Sequence, residues 1–339
     1  MRIPRLVVAL LLMAAPMLVA QEDVSSAPLT IRVDSARHEV VLTAGPFDLP
    51  SMAGHGHDPS MMSEYTQRFE WPVEAMGRGF TLELRDASGQ KVSQRVLHHL
   101  QIANNSRRQL LLPLRERVMA IGRETRNIML PNTIGMPLAR GSRMRLNIMW
   151  HNETPRDVQG VTATLRIRYS PANLLPAPTT VLPMSIDLAD AQGKTNTFTI
   201  PPGGLRATRE FVMPVDGRLL GASGHMHDWG QSVALEDVST GKTVLSITTT
   251  LDSVGRIRNM PVKLYGIAGR GIRLHAGRHY RLVATYLNPT GEPLEGGMAH
   301  LNAILAPSDL RQWPALADQA VAYVDDGAPS AGETTPHSH

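Results

Sequence analysis

Two distant stretches of this chain spell the same strand. From Gly141 it reads Gly-Ser-Arg-Met-Arg-Leu-Asn-Ile-Met-Trp-His-Asn-Glu-Thr, and from Gly277 Gly-Arg-His-Tyr-Arg-Leu-Val-Ala-Thr-Tyr-Leu-Asn-Pro-Thr. Aligned, Gly141, Arg145, Leu146, Asn152 and Thr154 match Gly277, Arg281, Leu282, Asn288 and Thr290, with Trp150 opposite Tyr286. In the first stretch Leu146, Ile148 and Trp150 alternate with Asn147, Met149 and His151, the period of a strand with two unlike faces. A strand repeated in the same relative place of two chain halves argues for two copies of one β-sandwich.

The rest of the chain agrees. Short runs rich in Val, Ile, Leu and Thr are separated by prolines and glycines, as at Asp86-Ala-Ser-Gly-Gln90 and Pro201-Pro-Gly-Gly204. The expected fold is all-β: two tandem antiparallel, jelly-roll-like β-sandwich domains and a short C-terminal helix. The boundaries read as a signal segment over 1–27, a first sandwich over 28–172, a Pro-rich linker over 173–183, a second sandwich over 184–307, and helix plus tail over 308–339. The helix expectation rests on Leu310, Trp313, Ala317, Ala320 and Val324 recurring at helical spacing. Arg115–Pro131 reads as irregular, Leu130–Pro137 as a loop, and Phe211–Leu220 as one strand leading into His225.

Arg2 and Arg5 precede an apolar run from Leu6 to Val19, the pattern of a secretory signal with cleavage after Ala20 or Ala27. The sequence therefore predicts an exported, secreted or periplasmic protein with no membrane span in the mature chain. It contains no cysteine, so thiolate metal sites, iron–sulfur clusters and cysteine nucleophiles are excluded. Any soft metal must be held by histidine and methionine. A net charge of +4 with scattered basic residues gives no footprint for nucleic acid.

The histidines carry the functional signal. His225-Met-His227 places two imidazoles on one face of an extended segment, as two metal ligands on one strand require. His98 and His99 are adjacent, and on a regular strand they would face opposite ways; they share a metal only if the strand ends or bulges there. His151 follows the strand that ends at Trp150. Met298 and His300 share one face of a closing strand with Asn302. His55 and His57 repeat the His-x-His spacing in a loop rich in Gly and Pro, and His337 and His339 lie in a polar tail; a solvated role suits both pairs.

In this order and spacing, across two sandwiches, the residues from about Leu29 to Ala306 resemble the copper type II, ascorbate-dependent monooxygenases, the family of peptidylglycine α-hydroxylating monooxygenase and dopamine β-monooxygenase. The resemblance implies two copper ions. One is held by His98, His99 and His151 and supplies an electron; the other is held by His225, His227 and Met298, where O2 and substrate react. Ascorbate or a similar one-electron donor is the implied reductant, and a small molecule with a reactive C–H bond the implied substrate. By ligand type alone zinc also suits three histidines, so copper there rests on the resemblance.

Two departures matter. Animal members carry disulfides that this chain cannot form. The peptide-amidating enzymes also hold the substrate carboxylate with an arginine and a tyrosine where this chain has Ser223 and Asn302, so peptide amidation is not expected. His300 is either a substrate-side polar group or a further ligand. The competing reading is a periplasmic copper-binding or electron-transfer protein without hydroxylase activity. A third, an adhesion module with incidental histidines, leaves the six coincident ligands unexplained.

Overall fold

The computed structural model describes residues 27–53, 62–112, 114–125, 127–188, 197–266 and 271–315. Among these the protein is nearly all-β. A seven-stranded sheet runs in the order Leu29–Asp34, Glu39–Leu49, Val158–Pro171, Ala75–Arg85, Ile134–Leu138, Thr179–Thr180, with Ile128–Met129 also paired to Ala75–Arg85. A four-stranded sheet, Ser63–Glu70, Arg143–Trp150, Leu97–Arg108, Arg115–Gly122, completes the first half. In the second half a five-stranded sheet is ordered Leu182–Asp187, Ala299–Pro307, Gly217–Met226, Lys263–Leu264, with Ile272–Leu274 also on Gly217–Met226. Its companion is Leu205–Val212, His279–Tyr286, Gly230–Asp237, Lys242–Thr248.

Both four-stranded sheets place their first, fourth, second and third strands in chain order side by side. The fourth strand of each is one of the two repeated stretches, and the repeat extends to side-chain chemistry. Beyond the end of Arg143–Trp150, Asn152 donates to the carbonyls of Leu49 and Arg156 at 2.9 Å and accepts from the Thr154 hydroxyl at 2.6 Å. Beyond His279–Tyr286, Asn288 donates to the carbonyls of Ile200 and Glu292 at 3.0 and 2.7 Å and accepts from the Thr290 hydroxyl at 2.7 Å. The matched Asn and Thr are thus a shared corner that satisfies buried backbone carbonyls where the strand leaves its sheet.

Two hydrophobic cores result. The first gathers Phe47, Tyr65, Trp71 and Trp150, with the Phe47 and Tyr65 rings edge to face at 4.9 Å. The second gathers Tyr280, Tyr286, Leu282 and Val233. Each core takes one leucine from the other half: Leu220 packs in the first, Leu110 in the second. The Pro-rich stretch is no free tether, because Thr179–Thr180 pairs in parallel with Ile134–Gly135 and Leu182 opens the next strand.

The structure corrects several expectations. Arg115–Gly122 is a strand, although its opening Arg-Glu-Arg reads as surface. Glu116 and Arg117 are buried and paired: Glu116 meets Arg107 at 2.9 Å, and Arg117 meets Asp187 at 3.3 Å. Leu130–Pro137 holds the strand Ile134–Leu138, and the segment Phe211–Leu220 is broken between Leu205–Val212 and Gly217–Met226. The described start of the expected C-terminal helix is a single 3-10 turn, Leu310–Gln312, with Asp309 capping it; Ala317, Ala320 and Val324 lie outside the described residues. So do the signal segment up to residue 26, His55, His57, His337 and His339.

Burial drives the Glu116 carboxyl up to about 7, against the pull of Arg107 and a hydrogen bond from Asn104. A carboxyl raised on folding stabilises the fold below its unfolded value, and that contribution is lost as pH rises through the folded value. Glu116→Gln should therefore gain stability over the parent as pH goes from 5 to 8, by roughly 2–3 kcal/mol from the size of the shift. Urea unfolding at the two pH values measures it, and an equal difference at both would exclude the assignment.

Candidate metal centre

The five-stranded sheet presents a polar patch in register rows. Asp187 pairs with His300 and His300 with His225; two residues along, Ser185 pairs with Asn302 and Asn302 with Ser223. Alternation puts all six on one face. On the opposite face the site strand is pressed on its own core at Gly224, where a Cβ would lie 2.0 Å from Met260 Cε. After His227 the chain turns sharply through Trp229, which holds a φ of 67°, a conformation that costs energy in a non-glycine residue.

The structure brings His225 and His227 together with ring centroids 5.4 Å apart. His98 and His99 lie 4.9 Å apart. They open the Leu97–Arg108 strand rather than end one, following a 3-10 turn at Gln94–Val96, and the ladder to Arg143–Trp150 slips between Leu97 and His99. That bulge is the irregularity that lets adjacent histidines turn the same way. The two pairs also meet: His98 is 5.6 Å from His227, and His225 stacks on His300 at 4.8 Å. With metal–nitrogen bonds of about 2 Å, imidazoles sharing one ion hold their centroids about 5 Å apart.

Second contacts fix which nitrogen is available. His225 Nδ1 lies 2.8 Å from Glu124 Oε1, and His227 Nδ1 is held by the Gly296 carbonyl. Both partners are acceptors, so each ring donates from Nδ1, and Nε2 is the nitrogen through which its uncharged form would bind a metal. Glu124 belongs to the first half, so one half orients a histidine of the other. Burial pushes the Glu124 carboxyl up, but the charge and hydrogen bond of His225 outweigh it, and the net direction is down. Burial, reinforced by the charges of His225 and Arg117, holds His300 well below the ordinary imidazole range and hence neutral, with its Nδ1 3.5 Å from Asp187.

Met298 sits in the break between Leu294–Gly297 and Ala299–Pro307. Its carbonyl accepts from the His227 N–H at 3.2 Å and from the Tyr286 hydroxyl. Burial pushes the Tyr286 phenol up, keeping it a neutral donor. Beside the cluster, Arg123 ties the halves through Asp228 at 2.7 Å and is itself paired with Glu153 of its own half.

His98, His99, His225, His227, Met298 and His300 all border one cavity, with Ser223 and Asn302 next to them. His151 is buried, its N–H donating to the Val96 carbonyl at 2.9 Å and its Nδ1 3.6 Å from Glu153, but it is not on the cavity wall. Among the described residues no group of three or more His, Asp or Glu side chains is gathered to hold a metal ion. The second-half set would take its third donor from the Met298 thioether, which suits reduced copper, and by donor type it fits that ion. In the first-half set His98 and His99 line the cavity, while His151 is buried where its backbone meets Val96.

Sequence reasoning missed Glu124, Arg117, Asp187 and the Tyr286 hydroxyl. No local motif marks them, because each acts across the fold. Glu124→Gln keeps an acceptor but adds a competing donor, and Glu124→Leu removes both. Second-contact losses of this kind cost about 10–100-fold in metal affinity. Chelator competition for Cu(I) should show a larger loss for the leucine variant than for glutamine, and equal affinities across the series would refute the role.

No protein-family model matches the chain, and no curated protein matches it. Among solved structures it is similar to the major capsid protein P2 from bacteriophage PM2, at 10% identity and a TM-score of 0.35, over 74% of this chain and 99% of that one. It is also similar to PNGase F, a glycosylasparaginase from Flavobacterium meningosepticum, at 9% identity and a TM-score of 0.38, over 78% of this chain and 95% of that one. Likenesses this distant carry no argument about activity.

Proposed function

We propose that the chain is an exported copper-dependent monooxygenase that hydroxylates a C–H bond of a small molecule, with ascorbate or a similar one-electron donor as reductant. The observation that carries this reading is the convergence of two histidine pairs, one from each half, on one cavity, with His225 and His227 held in the ligating tautomer. His225, His227 and Met298 would hold the copper where O2 reacts; His98 and His99, with His151, would hold the other. Copper, when bound, supplies the reduction of O2 that hydroxylation needs. In balance, one oxygen atom enters the C–H bond as hydroxyl and the other leaves as water, with two electrons from the donor and two protons.

The chain's own residues do the rest. Glu124 and the Gly296 carbonyl orient the imidazoles, and Tyr286 fixes the Met298 backbone. Ser223 and Asn302 face that end with neutral groups, which supports a substrate other than a peptide carboxylate.

Copper loading of the purified protein tests the reading. Two ions per chain and O2 uptake that is coupled to substrate in the presence of ascorbate are expected. Two ions without coupled uptake on a broad panel would favour the copper-binding or electron-transfer alternative. No copper uptake would remove both.

A further inference from the structure

We propose that the cavity beside the histidines takes an uncharged, predominantly apolar molecule, whose reactive end lies at His225, His227 and Met298; as a statement about substrate this rests on the monooxygenase reading. The cavity measures about 450 Å³, within the roughly 300–1,000 Å³ of sites that enclose small ligands. Away from the histidines its wall is apolar and comes from both halves: Phe80, Ile128 and Met136 from the first, Leu264 and Ile304 from the second.

The apolar lining continues to the surface. Val262 and Leu264 border the cavity while 37% and 42% exposed. Partly exposed large apolar side chains at the lip of an apolar cavity suit an entrance for an apolar solute.

The charged side chains that reach the cavity are each committed within the protein. Arg117 is paired with Asp187, and Arg78 donates to the Leu130 carbonyl at 3.1 Å. Glu124 is held on His225, and Glu295 accepts from the Thr199 hydroxyl at 2.7 Å. An ammonium entering here would lose its hydration without a dedicated counter-charge, and a carboxylate would have to compete with the Leu130 carbonyl for Arg78, whereas each methylene that enters leaves water at a gain.

The test is binding to the metal-free protein of n-alcohols from hexanol to dodecanol, read by displacement of the neutral fluorescent probe N-phenyl-1-naphthylamine. One saturable site is expected, with affinity rising about fourfold per added methylene. Dodecanoate should bind at least about tenfold more weakly than dodecanol. Leu264→Asp should weaken probe binding by about tenfold or more, since it places a charge at the lip. Leu175→Asp, at a residue that is 85% exposed and away from the cavity, should change nothing.

Affinity independent of chain length, dodecanoate binding as tightly as dodecanol, or Leu264→Asp without effect would each overturn the proposal. Because the protein is metal-free, the outcome is separate from copper chemistry. Graded alcohol binding by a protein that never takes up copper removes the oxygenase and keeps the apolar site. Coupled turnover with a flat alcohol series does the reverse.

Discussion

Met298→Ile is expected to leave the protein folded, with His98 and His99 still able to take up copper, while coupled O2 uptake falls at least about 100-fold, some 2.7 kcal/mol of transition-state stabilisation. The structure makes this substitution unusually clean. The Met298 carbonyl, not its side chain, anchors the local backbone, through the His227 N–H and the Tyr286 hydroxyl. Isoleucine keeps an apolar side chain of similar volume in that break and removes the thioether. Copper content by elemental analysis and the Cu(I) affinity of the second-half site should fall together with turnover, while the urea midpoint stays near the parent's. A variant with full turnover and two tightly held ions would show that Met298 is no ligand.

Arg117→Met should cost stability where Met298→Ile does not. Arg117 and Asp187 are buried to within a few per cent, and they join the Arg115–Gly122 strand of one half to the Leu182–Asp187 strand of the other. Removing the cation takes the Arg117 charge from a buried carboxylate that also faces His300, which is held neutral. Breaking one partner of such a pair costs about 3–5 kcal/mol, whereas replacing both by apolar groups is often near neutral. Urea unfolding of Arg117→Met, Asp187→Leu and the double variant gives the comparison. The double variant should be more stable than either single one, and a single-variant loss below about 0.5 kcal/mol, the size of an ordinary surface change, would deny the pair its role. Metal affinity of the second-half site should also fall in the single variants, because Asp187 and His300 lie in the same cross-strand row as His225.

The parts of this protein that could be read from the sequence are those written locally. The Arg143–Trp150 and His279–Tyr286 strands were legible because Leu146, Ile148 and Trp150 alternate, and their kinship because Asn152 and Asn288 serve the same corner. The His225/His227 pair was legible because period 2 needs no partner to be recognised. Arg115–Gly122 was not, since Glu116 and Arg117 enter the interior only by virtue of Arg107 and Asp187, the latter seventy positions from Arg117. Glu124 was invisible for the same reason, its target lying 101 positions away in the other half. The bulge at Leu97 and His99 sits between these cases: the sequence stated the condition under which His98 and His99 share a direction, and the ladder to Trp150 and Met149 meets it.

Leu220 and Leu110 exchange cores, and Glu124 reaches over to His225. A chain still being made, or one clipped between its halves, therefore lacks both the packing and the carboxylate that set the histidine in its ligating form. Binding of a metal ion by that histidine would thereby wait for the end of folding. On the reading of an exported copper enzyme proposed above, that delay would be a safeguard: unfinished molecules would have no completed seat in which copper and oxygen could react without a substrate.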